Sequence, residues 1–123
     1  MNYTIGQIAK MKDLSISQLR YYDNQGLLPF LKRTEKGDRV FNEDALNFLE
    51  LIICLKNTGM PIKEIKQFVD WSMNGDYTTP QRLEMIKQHE ITVLQLIQET
   101  EENLKRIQKK IARLEHEMNK SSN

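Results

Sequence analysis

Between Pro80 and Met118 neither proline nor glycine interrupts the chain, and one apolar stripe runs the whole way. Stepping alternately by three and four from Leu83 meets Leu83, Ile86, Glu90, Val93, Ile97, Thr100, Leu104, Ile107, Ile111, Leu114 and Met118, nine of the eleven being apolar. That spacing is a coiled-coil heptad sustained over about five repeats. At 1.5 Å per residue the helix is roughly 55 to 60 Å long, far beyond what a small domain can cover. The stripe therefore requires a partner, most simply the same helix of a second chain. Glu90 and Thr100 break the seam, and polar seam positions fix register more often than they add stability. An intramolecular hairpin is the alternative, but no second helix in the sequence is long enough to form it.

With 123 residues, of which 39% are apolar, the chain has room for one small core besides this helix. No stretch approaches the roughly 20 apolar residues of a membrane span, and the opening "MNYTIGQIAKMK" lacks the apolar region of a secretory signal. A cytoplasmic protein is expected. A single cysteine, Cys54, makes no internal disulfide and cannot supply paired thiolates to a zinc or iron-sulfur site. Charge is uneven: residues 1 to 41 carry seven Lys/Arg against four Asp/Glu, and the remainder eleven against thirteen. The front excess is a mild signal for a polyanionic partner.

The front half is punctuated by helix signals. Thr4 and Gln7 are spaced as a capping box ahead of Ile5, Ile8 and Ala9, predicting a helix over about 5 to 11. Ser15 and Gln18 repeat the device, with Ile16, Leu19 and Tyr22 facing a core and Gly26 as a left-handed stop. Two capped helices so close together predict a helix-turn-helix, whose second helix turns Ser17, Gln18, Arg20, Tyr21 and Asn24 outward. Side chains of these types read grooves and bind phosphates. Gln18 has a plainer role in completing its own box, and Arg20 and Tyr21 on an unassigned helix are ordinary solvated surface.

"FLKRTEKGDRVF" then reads as two β-prone pieces about a Gly37-Asp38 turn, a hairpin or wing with Arg33 and Arg39 on its arms. Asn42 caps a helix that Gly59 ends, and Pro61 opens another at its first position. The expected organisation is a winged helix-turn-helix domain over 1-74, a linker over 75-79, a dimerisation helix over 80-118 and a disordered tail over 119-123. The fold class is mainly α.

The run Arg20, Tyr21, Tyr22, Asp23, Gly26, Leu27, Leu28, Pro29, followed by Arg33, Gly37, Arg39 and Phe41, resembles the MerR family of bacterial transcriptional regulators. Two positions depart from that pattern: Asp38 stands where an aromatic is common, and Phe41 where Tyr is common. The resemblance implies a homodimer joined by an antiparallel coiled coil, built on Leu83, Ile86, Val93, Ile97, Leu104, Ile107, Ile111, Leu114 and Met118. It further implies binding to a double-stranded pseudopalindromic operator inside an overlong promoter spacer, and distortion of that DNA so that RNA polymerase can use both promoter elements. Carried over by position, Ser17, Gln18 and Arg20 face the major groove, Tyr21 and Arg33 the backbone, and Arg39 makes wing contacts.

Cys54 falls among Glu43, Asn47, Glu50, Leu51, Asn57 and Thr58 on its helix, a largely polar stripe at the rim of the apolar face. Glu50 and the negative end of the helix dipole disfavour a thiolate there, so a reactive Cys54 needs a cation from elsewhere, with Lys63, Lys66 and His89 as candidates. "CLKNTGMPIKEIKQFVDWSMNGDYTTPQRLEMI" resembles the single-cysteine branch of the family typified by NmlR and AdhR, which implies a sensor role for Cys54 toward reactive electrophiles and control of stress or detoxification genes. With five residues after Met118, sensing is expected to use the helical body itself. A switch operated by a small molecule lined by Phe68, Trp71 and Tyr77, and a coiled-coil interaction protein that binds no DNA, are the competing readings. No cofactor or metal is expected: His89 and His116 are isolated on a charged helix. Nor is an enzyme, since no nucleophile with base, phosphate loop or paired acids can be found.

Overall fold

In the computed structural model, which describes residues 1–121, two units divide the chain at Leu83 and Glu84. The first contains, in order, strand β1 (Tyr3–Thr4), helices α1 (Ile5–Lys12) and α2 (Ile16–Asn24), strands β2 (Lys32–Arg33) and β3 (Arg39–Phe41), and helices α3 (Glu43–Asn57) and α4 (Ile62–Met73). Helix α5 runs from Thr79 to Ser121.

Local chemistry sets most of these boundaries. Both capping boxes form: Thr4 and Ser15 accept from the Gln7 and Gln18 amides at 3.1 and 3.0 Å, and each glutamine Oε1 accepts back from the cap amide at 2.8 Å. Two otherwise orphaned amide donors are thus satisfied at each helix start. Asn42 caps α3 through Ala45 N at 2.8 Å. At the other end, Gly59 takes a φ of +94°, while Met60 N donates to Leu55 O and Gly59 N to Lys56 O at 2.9 and 3.1 Å. This is a Schellman closure, sealed by the buried pair Leu55 and Met60. Pro61 lies one position earlier than expected, as the N-cap of α4, where an extended backbone suits its fixed φ.

The sheet orders its strands β1-β3-β2, all antiparallel. The hairpin is the expected one, but β1 is not foreseen. Its two residues pair Tyr3 with Phe41 and Thr4 with Val40, a match too short for alternation to reveal. Tyr3 Oη also donates to Glu43 at 3.0 Å, and this bond holds its phenol above the ordinary value of 10.0.

Inside the unit, Ile8, Leu19, Tyr22, Leu27, Leu28, Phe41, Leu49, Ile52, Ile65 and Val69 are fully buried. Each such aliphatic or aromatic side chain contributes about 1.5–3 kcal/mol when fully removed from water. Ile16 is not among them, at 39% exposed, because the first residue of α2 still lies at the mouth of the turn. An aromatic row, Phe30, Phe48 and Phe68, has successive ring centroids 4.8 and 6.5 Å apart.

The expected linker is folded. Residues Asp76–Thr78 form a 3-10 turn, and the buried Thr78 hydroxyl lies 2.7 and 2.8 Å from the carbonyls of Trp71 and Gly75 while accepting from Arg82 Nε at 3.0 Å. The tail boundary also moves: residues 119 to 121 are helical, since nothing in "NKS" breaks a helix, and 122 to 123 lie outside the described residues. No residue of α5 is buried. Leu83, Ile97, Leu104, Ile107, Ile111, Leu114 and Met118 are exposed, and Ile86 and Val93 are half-buried. Among the described residues, no helix is long and apolar enough to cross a membrane.

Candidate nucleic-acid interface

The turn between α1 and α2 is built on Asp13, whose φ of +54° makes it a non-glycine residue in the left-handed region. Aspartate is among the few side chains that tolerate this conformation. Leu14 N then closes on Ala9 O at 2.9 Å. The result holds α2 by its buried Leu19 and Tyr22 and leaves Ser17, Gln18, Arg20, Tyr21 and Asn24 exposed. Gln18 has its Oε1 committed to Ser15 N, so only its amide nitrogen is left to donate. Bidentate pairing with adenine, which needs both ends of the amide, would require opening the box.

Tyr21 and Tyr22 diverge although adjacent. Tyr21 is exposed, whereas Tyr22 is buried with its hydroxyl 2.8 Å from Lys56 Nζ, the ammonium also lying 5.0 Å from the ring centroid. The C-terminal stop of α2 is tight as well. Gly26 has a φ of +78°, and a Cβ there would meet Lys66 Cε at 2.5 Å. Lys66 lies across this glycine and pairs with Asp70 at 2.5 Å.

Beside α2, the hairpin is closed by Thr34 N to Asp38 O at 2.8 Å, Gly37 N to Thr34 O at 2.9 Å and Asp38 N to Thr34 Oγ1 at 3.2 Å. Asp38 thus serves the turn through its backbone. The two wing arginines differ. Arg39 Nε donates to Asp23 Oδ2 at 2.6 Å and its side chain is only 19% exposed. Arg33 donates to the same oxygen at 3.1 Å and to Gly37 O at 3.1 Å, with 52% of its side chain in solvent. Asp23, itself 16% exposed, joins α2 to both arms of the hairpin. Its partners lie 10 and 16 residues away, and no spacing rule for helices or hairpins connects such positions.

Cys54 is exposed on α3. Glu50, one turn before it, forms an ion pair with Lys12 of α1 at 2.5 Å, a cation that sequence spacing does not bring to mind. Of the residues considered as a ligand lining, Phe68 is buried in the aromatic row, Trp71 is half-buried and Tyr77 is exposed. Among the described residues, no three His, Cys, Asp or Glu side chains gather as a metal-holding group.

A capped pair of helices whose second member presents a polar face, flanked by a cation-bearing hairpin, defines a winged helix-turn-helix protein. Comparison with known proteins narrows the class. The family described as MerR HTH family regulatory protein matches residues 3–70. A MerR family regulator from Bacillus thuringiensis is 69% identical, with a TM-score of 0.88 over 92% of this chain and 99% of that one. HiNmlR, a MerR family regulator lacking the sensor domain and crystallised bound to promoter DNA, is 38% identical, with a TM-score of 0.87 over 91% of this chain and 89% of that one. AdhR of Bacillus subtilis is 35% identical over 78 residues, 63% of this chain and 56% of AdhR. The chain belongs to the MerR family of transcriptional regulators, and it is not an enzyme.

Proposed function

We propose that this regulator works as a homodimer on a pseudopalindromic promoter operator, reading it with α2 and clasping its backbone with the wing. The observation that carries this reading is the exposed set Ser17, Arg20, Tyr21 and Asn24 on a helix capped and buried on its other side. The likeness to HiNmlR, whose structure holds promoter DNA, supports it. Ser17 and Arg20 contact base edges, Gln18 donates from its free amide nitrogen, and Tyr21 and Arg33 bond phosphates. Pairing along α5 through Leu83, Ile86, Val93, Ile97, Leu104, Ile107, Ile111, Leu114 and Met118 sets the half-sites about 34 Å apart, one helical turn. In the cytoplasm the dimer controls RNA polymerase by distorting the promoter spacer.

Cys54 is the switch in this reading, and its exposure supports access by a reactive electrophile. Its thiolate sulfur adds to an electrophilic carbon such as a carbonyl, whose oxygen takes up a proton. The added bulk then biases a two-state arrangement of the DNA-binding units.

The test is selection of duplexes from a random library by the purified protein, followed by titration against salt. A palindromic consensus and a steep decline of affinity with salt are expected, as counterion release by Lys and Arg requires. Weak, flat binding would leave a coiled-coil interaction protein. Intact-mass analysis with an aldehyde follows, where a Cys54→Ser variant that still responds would favour a non-covalent ligand over the cysteine.

A further inference from the structure

We infer that Asp23 is a positioning residue for DNA binding, and that Arg39 acts through it rather than on a phosphate. The inference rests on the reading of the lobe as DNA-binding. One carboxylate oxygen of Asp23, in the last turn of α2, receives Arg39 from β3 at 2.6 Å and Arg33 from β2 at 3.1 Å. Arg33 and Arg39 face each other in the hairpin register, so a single anion on the recognition helix grips both arms at the same rung. Arg33 Nη1 extends the grip to the turn through Gly37 O.

The two cations are left in unlike situations. Arg39 is largely buried with its Nε committed to Asp23, and Arg33 keeps half its side chain in solvent. A guanidinium has five donors in a planar fork, so Arg33 can hold Asp23 and Gly37 and still offer donors to a phosphate. The hairpin is short, with strands of two and three residues. Strand β3 is held by β1 and by the buried Phe41, whereas β2 pairs with β3 alone, and an edge arm of that size has little stability of its own. The Asp23 bonds therefore fix the outer arm and turn against α2, and with them the distance between groove-reading and phosphate-binding groups.

An anion near DNA would ordinarily weaken binding by repulsion, which gives the inference a sharp sign. Asp23→Asn should lose roughly tenfold or more in affinity, the scale of a lost charge-assisted hydrogen bond. Simple repulsion predicts the opposite, a gain. Arg33→Gln should lose a similar factor and flatten the salt dependence, by about 0.9 in the log-log slope for each phosphate contact removed. Combining Arg33→Gln with Asp23→Asn or with Arg39→Gln should cost little more than Arg33→Gln alone, because all three changes abolish the same wing contact.

The experiment measures these single and double variants on a duplex selected from a random library by the wild-type protein, with Asp23→Glu as the conservative rescue. Amide hydrogen exchange without DNA accompanies it, and residues 34 to 40 should exchange faster in Asp23→Asn while the Leu49 and Ile52 amides do not change. A merely structural defect would lower the active fraction and leave the salt slope intact. Tighter binding by Asp23→Asn, additive losses for Arg33→Gln and Arg39→Gln, or unchanged exchange over 34 to 40 would each overturn the inference. If the wild-type protein enriches no duplex, the DNA-binding reading itself fails, and this inference with it; enrichment followed by additive losses sinks the inference alone.

Discussion

The lobe and the long helix use apolar residues in opposite ways. Among the described residues, every buried apolar side chain lies between Ile8 and Val69, whereas α5 buries none and exposes Ile97, Leu104, Ile107, Ile111 and Leu114. The lobe meets its own needs: α1, α2 and α3 are capped at their N-termini by side chains, its core is closed, and no buried side-chain nitrogen or oxygen lacks a hydrogen-bond partner among the described residues. The helix leaves its apolar stripe exposed. In the proposed dimer its stability is a property of concentration, whereas the lobe's is a property of the chain.

The contrast can be broken most directly at the seam. Replacing Ile97 and Leu104 by Asp removes two apolar side chains per chain, four per dimer, at about 1.5–3 kcal/mol each. Loss of self-association is expected by sedimentation equilibrium, with the lobe still folded; a dimer that survives would place the interface elsewhere. Second in size is Phe41→Ala in the lobe, a fully buried ring that closes the sheet against the core. A cost of about 3–5 kcal/mol is expected, as a fall in Tm that does not vary with protein concentration. Dependence on concentration would show that the lobe borrows stability from association.

Gly26→Ala is smaller. Its φ of +78° costs a non-glycine residue about 1–2 kcal/mol. Adding Lys66→Ala should recover only a minor part in denaturant melts, because the nearest atoms belong to the movable end of the Lys66 chain. Full recovery would mean that the clash, not the backbone, makes glycine necessary. Least affected is Cys54→Ser, at an exposed position, with a stability change within about 0.5 kcal/mol. A larger loss would make the thiol part of the packing.

The helix-turn-helix was legible because its signals are local. A capping box spans four residues, and both Thr4 and Ser15 announce their helices without help from the rest of the fold. The Asn42 cap and the Gly59 stop belong to the same kind. What escaped was non-local or very short. The two-residue β1 has no periodicity to detect, and Ile16 satisfied a helical spacing that the turn geometry left at the surface. At the candidate interface, residue types and outward faces could be read, but not the pairing of Arg39 and Arg33 on Asp23, the Lys12 pair with Glu50, or the Lys56 contact with Tyr22.

By itself, then, the sequence determined the features whose signals repeat or close within a few residues: the capped helices, the hairpin turn at Gly37, and the apolar stripe along α5. These follow from backbone hydrogen-bond satisfaction and from the 3.6-residue period, which act over one or two turns. Tertiary structure alone decided what each charge of the lobe pairs with and how far it is buried. Arg33 and Arg39 look equivalent in a string, but beside their shared carboxylate the Arg39 side chain is 19% exposed and that of Arg33 52%, because burial and ion pairing depend on distance in space, which the order of residues does not fix.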